Sequence, residues 1–362
     1  MRVILTTGGT GGHIYPALAL TTEIMKDPHA EVLFIGSQDR MEAKLIPEAG
    51  YRFIGLNLQG FNGNSHDKLQ ALKLNREARK ECLKIIQEFK PQVIVGFGNY
   101  VTVPVIQAGK KLGIPCVIHE QNSLPGLANR YLSLLATKVI TSYPQTEKYF
   151  PASKVELLGN PRASQACRQK KDPNVIKQLG LDPNKKTVLI VMGSLGSHSV
   201  NKVMVETLQL LGNKDFQIID VTGEDDYQDL SSKVPPYSNI KILPYCDQLS
   251  LMANSDLIVC RGGATSASEI MAIGLPSIII PSPYVPNNHQ HYNALAMVNA
   301  GCAYELPEQE LTAASLVELI QRLIYDDKGL AEMRKKAEEL GFPLAVHKFV
   351  ALLKHLTGET YE

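Results

Sequence analysis

The 362-residue sequence lacks three features that would assign it to a particular class: an excess of one charge, closely spaced cysteines and a long apolar run. Its formal net charge is +1, so composition does not indicate nucleic-acid binding, and any basic surface must be local. The six cysteines are scattered without a CxxC pair, which predicts reduced thiols in a cytosolic protein. No apolar run approaches the roughly 18 residues of a membrane span, so we expect any membrane contact to be peripheral. The chain opens directly in a predicted strand, and we expect no signal peptide.

Short apolar segments rich in β-branched residues alternate along the chain with segments of 3.6-residue periodicity. The apolar segments are continuous, which is typical of parallel strands buried on both faces of a sheet. This alternation predicts an α/β protein built from right-handed βαβ units. The predicted strands are RVILTT, EVLFIGS, YRFIGLNL, QVIVGFG, CVIHEQ and KVITSY in the first half, and TVLIVMG, FQIIDVTG, NIKILPY, DLIVC and SIIIP in the second.

The order of strand, glycine-containing turn and helix starts a second time in the second half of the chain. We therefore predict two Rossmann-like, doubly wound domains, residues 1–162 and 163–342, facing each other across a cleft. A last helix at about 343–362 is expected to pack back on the first domain. Ligands of such sheets bind beyond the carboxyl ends of the strands, so polar residues that follow strands are the candidate site.

The segment TTGGTGGHIYPALAL, residues 6–20, places four glycines between a strand and a helix. Glycines let the backbone turn sharply and present its N–H groups, and the helix start adds unpaired N–H groups and partial positive charge. This combination predicts an anion site for a phosphate or a similar group. The alternative is a turn that only packs the strand against the helix.

Two familiar phosphate-binding motifs do not fit this loop. A P-loop requires a lysine that the segment lacks. The dinucleotide fingerprint requires a third glycine where Ile14 stands, and an acid where the second strand ends in Gly36, Ser37 and Gln38. A nicotinamide-dependent dehydrogenase is therefore disfavoured.

His13 stands where the first helix is predicted to begin. The positive end of a helix dipole disfavours the imidazolium form, so we expect a neutral imidazole near pH 7. A neutral imidazole can remove a proton from a hydroxyl group, which makes His13 a candidate general base. The alternative is a histidine that acts only as a polar cap.

Two further segments follow strands in the second half. In RGGATSASE, residues 261–269, the N–H groups of 263–266 could hold a diphosphate, and Glu269 could accept hydroxyls from a ribose or sugar. The alternative is an ordinary capped helix with an acid in its first turn. PNNHQHYN, residues 286–293, carries amides suited to sugar hydroxyls, or else forms a solvated helix start.

Other polar residues lie at the ends of predicted strands in both halves. HEQN at 119–122 and the pair Asn99 and Tyr100 do so in the first half, and Ser194 lies in the first turn of the second half. No metal ligand set is predicted, because His289 and His291 do not share a helix face. The acidic run at 224–226 is expected to be solvated. We interpret the first half as an acceptor domain with a base, and the second as a domain for a nucleotide-diphosphate sugar.

The ordered motifs GGTGGHIYPALA, HEQNSLPGLANR, LGNPR, MGSLGS, RGGATSASE and NNHQHYNA resemble the MurG family. The resemblance runs from residue 2 to about residue 301. It implies a GT-B fold and inverting transfer of N-acetylglucosamine from UDP-GlcNAc to the C4 hydroxyl of undecaprenyl-diphospho-MurNAc-pentapeptide (lipid I). The product would be lipid II, for peptidoglycan synthesis. No cofactor is expected, and the implied partners are UDP-GlcNAc, lipid I and the anionic cytoplasmic membrane surface.

The resemblance also implies roles for individual residues. His13 would be the catalytic base, and Arg162, Tyr245 and Cys246 are further possible donor contacts. This sequence departs from the family where Leu195 replaces a glutamine, and Arg162 stands one position earlier than the usual arginine. The implied donor-binding residues are Thr10, Gly11, Gly12, Asn122, Ser194, Ala264, Thr265, Ser266, Ala267, Ser268, Glu269 and Gln290.

A basic helix predicted at 67–90 is the candidate membrane contact. It holds seven Lys or Arg residues against four acidic ones, a net charge of +3. Such a helix could dock reversibly on an anionic bilayer, which would make the protein peripheral at the cytoplasmic face of the bacterial membrane. The alternative is an ordinary crossover helix with a solvated face. The predicted patch consists of Leu69, Leu72, Lys73, Arg76, Arg79 and Lys80.

Three other functions stay open at the level of the sequence. A GT-B glycosyltransferase with another acceptor would carry the same donor motifs. A UDP-GlcNAc 2-epimerase uses a similar fold and donor, but it needs acids to move the proton at C2, and the first glycine-rich loop offers none. A non-catalytic sensor of nucleotide sugars would bind the donor without transfer.

Overall fold

The computed structural model describes residues 1–60, 65–193 and 196–359, without the side chains of Ser65 and Lys68. The chain divides into two compact units. Unit 1 comprises Met1–Ser164 with Leu344–Glu362, and unit 2 comprises Gln165–Pro343. The division between Ser164 and Gln165 lies close to the join proposed from the sequence after residue 162.

Unit 1 contains a seven-stranded sheet in the order β3-β2-β1-β4-β5-β6-β7, in which every pairing is parallel. The six strands predicted for this half are all present, and the seventh, β7, is a short edge strand without a continuous apolar run. The strands are β1 (Arg2–Thr6), β2 (Glu31–Ser37), β3 (Arg52–Leu56), β4 (Val93–Gly96), β5 (Cys116–Glu120), β6 (Lys138–Thr141) and β7 (Val155–Leu157).

Unit 2 contains a six-stranded parallel sheet in the order β10-β9-β8-β11-β12-β13. The five predicted strands are present, and the three-residue β13 was not predicted. Parallel strands joined by helices on both sheets confirm the α/β fold. The strands are β8 (Thr187–Val191), β9 (Gln217–Val221), β10 (Ile240–Leu243), β11 (Leu257–Cys260), β12 (Ser277–Ile279) and β13 (Ala303–Glu305).

The helices connect these strands in chain order. In the first part of the chain they are α1 (Gly11–Ile24), α2 (Met41–Glu48), α3 (Ser65–Phe89), α4 (Thr102–Lys111), α5 (Leu127–Leu132), α6 (Pro161–Ala166) and α7 (Pro173–Gln178). They continue as α8 (His198–Leu211), α9 (Glu224–Lys233), α10 (Gln248–Ala253), α11 (Ala264–Ile273), α12 (His289–Asn299), α13 (Ala313–Ile324), α14 (Asp327–Leu340) and α15 (Ala345–Thr357).

The core of unit 1 has two layers because successive side chains of a strand point to opposite faces. Val3 and Leu5 of β1 face the layer that contains α1, whereas Ile4 faces the layer that contains α3 and α4. The last helix, α15, contributes Phe349 and other buried residues to the α1 layer. The C-terminal segment is thus part of the core of unit 1.

Candidate active site

The first glycine-rich loop connects β1 to α1 and places His13 in the first turn of that helix. Thr10 precedes α1 with extended backbone, and its Oγ1 lies 3.1 Å from His13 Nδ1. On the other side of the ring is Gly98, whose φ is +90°. A Cβ at Gly98 would lie 3.3 Å from His13 Cδ2, so glycine here leaves room for the imidazole. Thr10 and Gly12 are exposed, and Gly11 and His13 are half-buried.

The peptide between Gly8 and Gly9 does not offer its N–H to solvent. Gly9 N–H donates to Oε2 of Glu42 at 3.0 Å, and Asn99 Nδ2 donates to the Gly8 carbonyl oxygen at 3.1 Å. The expectation that all the loop glycines present their N–H groups to an anion is therefore wrong for Gly9. The sequence analysis missed Glu42, since it contacts the loop across 33 residues of chain.

The segment after β5 is organised by a buried carboxylate, Glu120. Its Oε1 accepts hydrogen bonds from Asn122 N at 2.9 Å and Asn122 Nδ2 at 3.1 Å. Its Oε2 accepts from Gly126 N at 3.1 Å and Asn129 Nδ2 at 2.9 Å. Burial raises the pKa of Glu120, an effect that these hydrogen bonds oppose. Asn122 is thus held at the carboxyl end of β5.

His119, next to Glu120, is a buried residue of the core. Its ring packs against the rings of Phe97 and Phe349, and its Nε2–H donates to the carbonyl oxygen of Gly159 at 3.1 Å. Burial lowers the pKa of His119 to about 4, so the imidazole is neutral at ordinary pH. Of the polar residues singled out at the end of β5, His119 therefore belongs to the core.

Arg162 lies in unit 1 beside the start of α1. The centre of its guanidinium lies 5.7 Å from the centroid of the Tyr15 ring, and the backbone N–H of Arg162 donates to Asn160 Oδ1 at 3.0 Å. Tyr15 in turn packs against Gly11, where a Cβ would lie 2.8 Å from Tyr15 Cε2. The Arg162 guanidinium thus lies near the start of α1, the helix that carries His13.

In unit 2, α11 begins directly after β11, with Gly263 preceding its first turn. Ala264, Thr265, Ala267, Ser268 and Glu269 are buried, and Ser266 is half-buried. The Ser268 hydroxyl donates to the carbonyl oxygen of Ala264 at 2.9 Å. The Glu269 carboxylate accepts from Gln248 Nε2 at 3.4 Å. The first turn of α11 therefore carries the hydroxyls of Thr265 and Ser266, and its second turn carries the Glu269 carboxylate.

The start of α12 packs against the turn that precedes α11. A Cβ at Gly262 would overlap the carbonyl oxygen of Gln290, so this close approach requires glycine. Asn293 Nδ2 donates to the Gly262 carbonyl oxygen at 3.0 Å, and Asn293 is fully buried. Gln290 Oε1 accepts a hydrogen bond from the N–H of Ser282 at 2.9 Å. Asn293 supports the site from within, a role that the sequence did not indicate.

Arg261 joins the β11–α11 turn to the start of α8. Its Nη1 lies 2.6 Å from Glu308 Oε2, and its Nη2 donates to Ser197 Oγ at 2.6 Å. The side chains of Arg261 and Glu308 are each only 11% exposed, so the pair is largely shielded from water. Ser194 and Leu195, which precede Ser197, lie outside the described residues.

Tyr245 and Cys246 follow β10. Tyr245 is 72% exposed, and Cys246 is half-buried. Burial raises the pKa of the Cys246 thiol to about 11, so it stays protonated at ordinary pH. Within residues 1–60, 65–193 and 196–359, no group of three or more His, Cys, Asp or Glu side chains is placed to hold a metal ion.

Comparison with known proteins identifies the family. A model of the glycosyltransferase family 28 N-terminal domain matches residues 3–141, and one of the C-terminal domain matches residues 187–349. The chain is 40% identical to UDP-N-acetylglucosamine--N-acetylmuramyl-(pentapeptide) pyrophosphoryl-undecaprenol N-acetylglucosamine transferase 1 of Bacillus cereus, over 98% of this chain and 99% of that protein. The chain belongs to glycosyltransferase family 28. It is thus a glycosyltransferase, and its predicted family is confirmed.

A second relative and two solved structures are also similar to this chain. The enzyme of the same name from Pediococcus pentosaceus is 38% identical over 99% of this chain and 100% of its own length. The crystal structure of Acinetobacter baumannii MurG matches with a TM-score of 0.80 and 27% identity, over 98% of this chain and 99% of that one. A UDP-GlcNAc 2-epimerase of Neisseria meningitidis matches over 98% and 100% of the two chains with a TM-score of 0.65. Its identity is 16%, so that likeness shows the fold alone.

Proposed function

We propose that this family 28 enzyme transfers N-acetylglucosamine from UDP-GlcNAc to the C4 hydroxyl of lipid I, giving lipid II with inversion at C1. The observation that carries the proposal is the 40% identity to a named transferase of this substrate pair over nearly the whole of both chains. The placement of His13 in the first turn of α1 supports it.

The proposed base is His13. With Nδ1–H donating to Thr10 Oγ1, Nε2 carries the lone pair that accepts the proton of the acceptor hydroxyl. The deprotonating oxygen attacks C1 of the sugar, the bond from C1 to the diphosphate oxygen breaks, and UDP leaves with the electron pair. The proton stays on His13 until it passes to solvent. A base of this kind contributes about 10²–10⁴ to the rate.

The proposed donor residues lie mainly in unit 2. The N–H groups at the start of α11 are suited to the diphosphate, because they lie at the positive end of a helix dipole, where anions bind. The same groups would stabilise the charge that grows on UDP as it leaves. Glu269 would accept ribose hydroxyls, and Gln290 would contact the sugar through its amide nitrogen, since its Oε1 accepts from Ser282. Asn122, Arg162, Tyr245, Cys246 and Ser194 remain proposed contacts of the donor.

The proposed membrane surface is the outward face of α3. Leu69 and Leu72 are 68% and 58% exposed, although both are apolar. At 100° per residue the six patch residues fall within about 120° of the helix circumference. The opposite face buries Ala71, Asn75, Ala78 and Cys82. The basic members of the patch, all exposed, are Lys73, Arg76, Arg79 and Lys80.

This arrangement supports peripheral docking at the cytoplasmic face, where a lipid-linked acceptor would be met. Each basic residue near an anionic surface contributes about 1 kcal/mol to binding. Among the described residues, no helix combines the length and apolar character needed to cross a bilayer.

The test is to incubate the pure protein with labelled UDP-GlcNAc and a lipid I analogue, and to separate the products. A β-linked disaccharide on the analogue is expected. Formation of UDP-ManNAc without acceptor would instead identify a 2-epimerase. Transfer only to other acceptors in a panel would identify a different glycosyltransferase, and donor binding without any product would identify a sensor.

A further inference from the structure

We propose that Glu42 and Asn99 are positioning residues that together lock the Gly8–Gly9 peptide and so fix the direction of His13. The proposal rests on the function proposed above, in which His13 is the base. It assigns a role to a buried carboxylate and to a loop amide outside the proposed substrate contacts.

The Gly8–Gly9 peptide is the part of the loop that most needs to be fixed. Both flanking residues are glycines, so the torsions on either side of the peptide plane are barely restricted. Gly9 has a φ of +90°, a conformation that other residues rarely adopt. A rotation of this peptide plane would alter the path of the chain four residues before His13.

Glu42 holds the N–H end of the peptide. Its Oε2 accepts from Gly9 N at 3.0 Å, while Oε1 accepts from Ser37 N at 3.0 Å. Glu42 is fully buried, and two glycines make room for it. A Cβ at Gly8 would overlap Glu42 Oε1, and a Cβ at Gly36 would lie 2.7 Å from Glu42 Cγ. An ionised carboxylate only accepts hydrogen bonds, so it specifies that the N–H faces inward.

Asn99 holds the carbonyl end of the same peptide. Its Nδ2 donates to the Gly8 oxygen at 3.1 Å, and its Oδ1 accepts from Tyr100 N at 2.6 Å. The backbone of Asn99 has a φ of +72°, which asparagine tolerates better than most residues. The preceding residue, Gly98, borders the ring of His13. One loop therefore holds the glycine peptide and limits the position of the imidazole.

The two contacts together permit one orientation of the peptide. A flip would break both hydrogen bonds, turn the Gly8 oxygen toward the Glu42 carboxylate and turn the Gly9 N–H toward the Asn99 amide donors. The loop therefore acts as a rigid support for His13, and Gly9 N–H is not a ligand for a substrate phosphate. If an anion binds in this region, its contacts are expected from the N–H groups at the start of α1.

The test compares Glu42→Gln, Asn99→Gly and the double variant in the disaccharide assay. Glutamine keeps the size of Glu42 but presents a donor, and glycine fits the φ of Asn99 without strain. Each single variant is expected to lower kcat roughly 10-fold or more, because a misplaced base loses rate steeply. The KM for UDP-GlcNAc should stay within about 2-fold, since that substrate's main contacts lie elsewhere. The double variant should lose less than the product of the two single losses, because both act on one peptide.

Glu48→Gln is the matched control, since Glu48 is an exposed carboxylate on the same helix. The proposal is overturned if folded Glu42→Gln keeps kcat within about 2-fold of wild type, or if kcat falls only together with a matching rise in KM. If Glu42→Gln does not fold, Asn99→Gly alone decides on the same criteria. His13→Ala separates this proposal from the proposed function. Wild-type turnover in His13→Ala would contradict the assignment of His13 as the base. If His13→Ala loses turnover but the Glu42 and Asn99 variants keep it, only the proposed positioning role of Glu42 and Asn99 is contradicted.

Discussion

At the residue scale, the proposed chemistry of unit 1 concentrates on one imidazole whose two sides are occupied by different parts of the chain. Thr10 Oγ1 lies 3.1 Å from Nδ1, and Gly98 borders Cδ2, the ring carbon bonded to Nε2. The local sequence supplies Thr10, three residues earlier, but the neighbour at Gly98 is supplied by a distant loop. His13 is therefore oriented by local and long-range contacts together.

Replacing His13 by alanine should lower kcat about 10²–10⁴-fold, because the acceptor hydroxyl loses its base. The KM for UDP-GlcNAc should change by no more than about 2-fold, which steady-state kinetics with a lipid I analogue will measure. His29→Ala, an exposed histidine of the same unit, serves as the control. Full turnover in His13→Ala would contradict the assignment of the base.

Asp220 of β9 provides a second prediction at this scale. Burial raises the pKa of Asp220 to about 7, and its Oδ2 has no hydrogen-bond partner among the described residues. The unfolded chain releases this proton near its ordinary pKa of 3.8, so the carboxyl group lowers stability as pH rises from about 4 through 7. Relative to wild type, Asp220→Asn should therefore be stabilised more at pH 8 than at pH 5. The two changes in the free energy of unfolding should differ by about 2–3 kcal/mol.

Urea unfolding of wild type and Asp220→Asn at both pH values measures this difference. Asp225→Asn, an exposed acid of the same unit, should show no such dependence. An equal effect of Asp220→Asn at pH 5 and pH 8 would mean that the folded protein does not hold a proton at this position.

At the element scale, the two faces of α3 differ in character. Ala71, Ala78 and Cys82 are buried, whereas Leu69 and Leu72 are exposed among basic residues. An ordinary crossover helix would place polar residues at the outward positions. The exposed leucines are the part of this pattern that favours a bilayer contact.

Reversing the charge of the α3 patch should weaken binding to anionic phospholipid vesicles on the order of 10²-fold or more, because four favourable contacts become repulsive. Co-sedimentation at low and high salt measures the effect, which salt should reduce. Unchanged binding would show that α3 is only a crossover helix. The patch variant is Lys73→Glu, Arg76→Glu, Arg79→Glu and Lys80→Glu, and the control with the same charge change in unit 2 is Lys170→Glu, Lys171→Glu, Lys328→Glu and Lys335→Glu.

At the scale of the whole molecule, the two units carry separable parts of the proposed reaction. Unit 1 holds the proposed base, and the first two turns of α11 in unit 2 hold most of the proposed donor contacts. Variants in the two units should therefore alter different kinetic constants, as long as each unit stays folded.

Glu269→Gln tests this division, because the carboxylate that would accept ribose hydroxyls becomes an amide. The KM for UDP-GlcNAc should rise roughly 10-fold or more, since a hydrogen bond to a charged group contributes about 1.5–3 kcal/mol. The kcat at saturating donor should fall less than in His13→Ala. Glu310→Gln, an exposed carboxylate of unit 2, is the control. A normal KM in Glu269→Gln would remove this residue from the donor site.

Features with local causes could be predicted from the sequence. Continuous apolar runs indicated eleven strands, and all are present, because burial on both faces of a sheet depends on each strand's own residues. The start of a helix close to His13 followed from the glycines before this residue and the periodicity after it. The short strands β7 and β13 were missed because their residues, VEL and AYE, form no continuous apolar run.

Contacts between distant segments were decided only by the tertiary structure. Nothing near Glu42 in the sequence indicates that it binds Gly9, 33 residues away, or that Asn99 reaches Gly8 across 91 residues. His119 was singled out as a polar residue at the end of a strand, but its ring packs against Phe97 and Phe349 in the core. Periodicity and glycine placement determine the elements and their ends. Which side chains meet there depends on how the parallel strands align, since that alignment brings the ends of separate strands together.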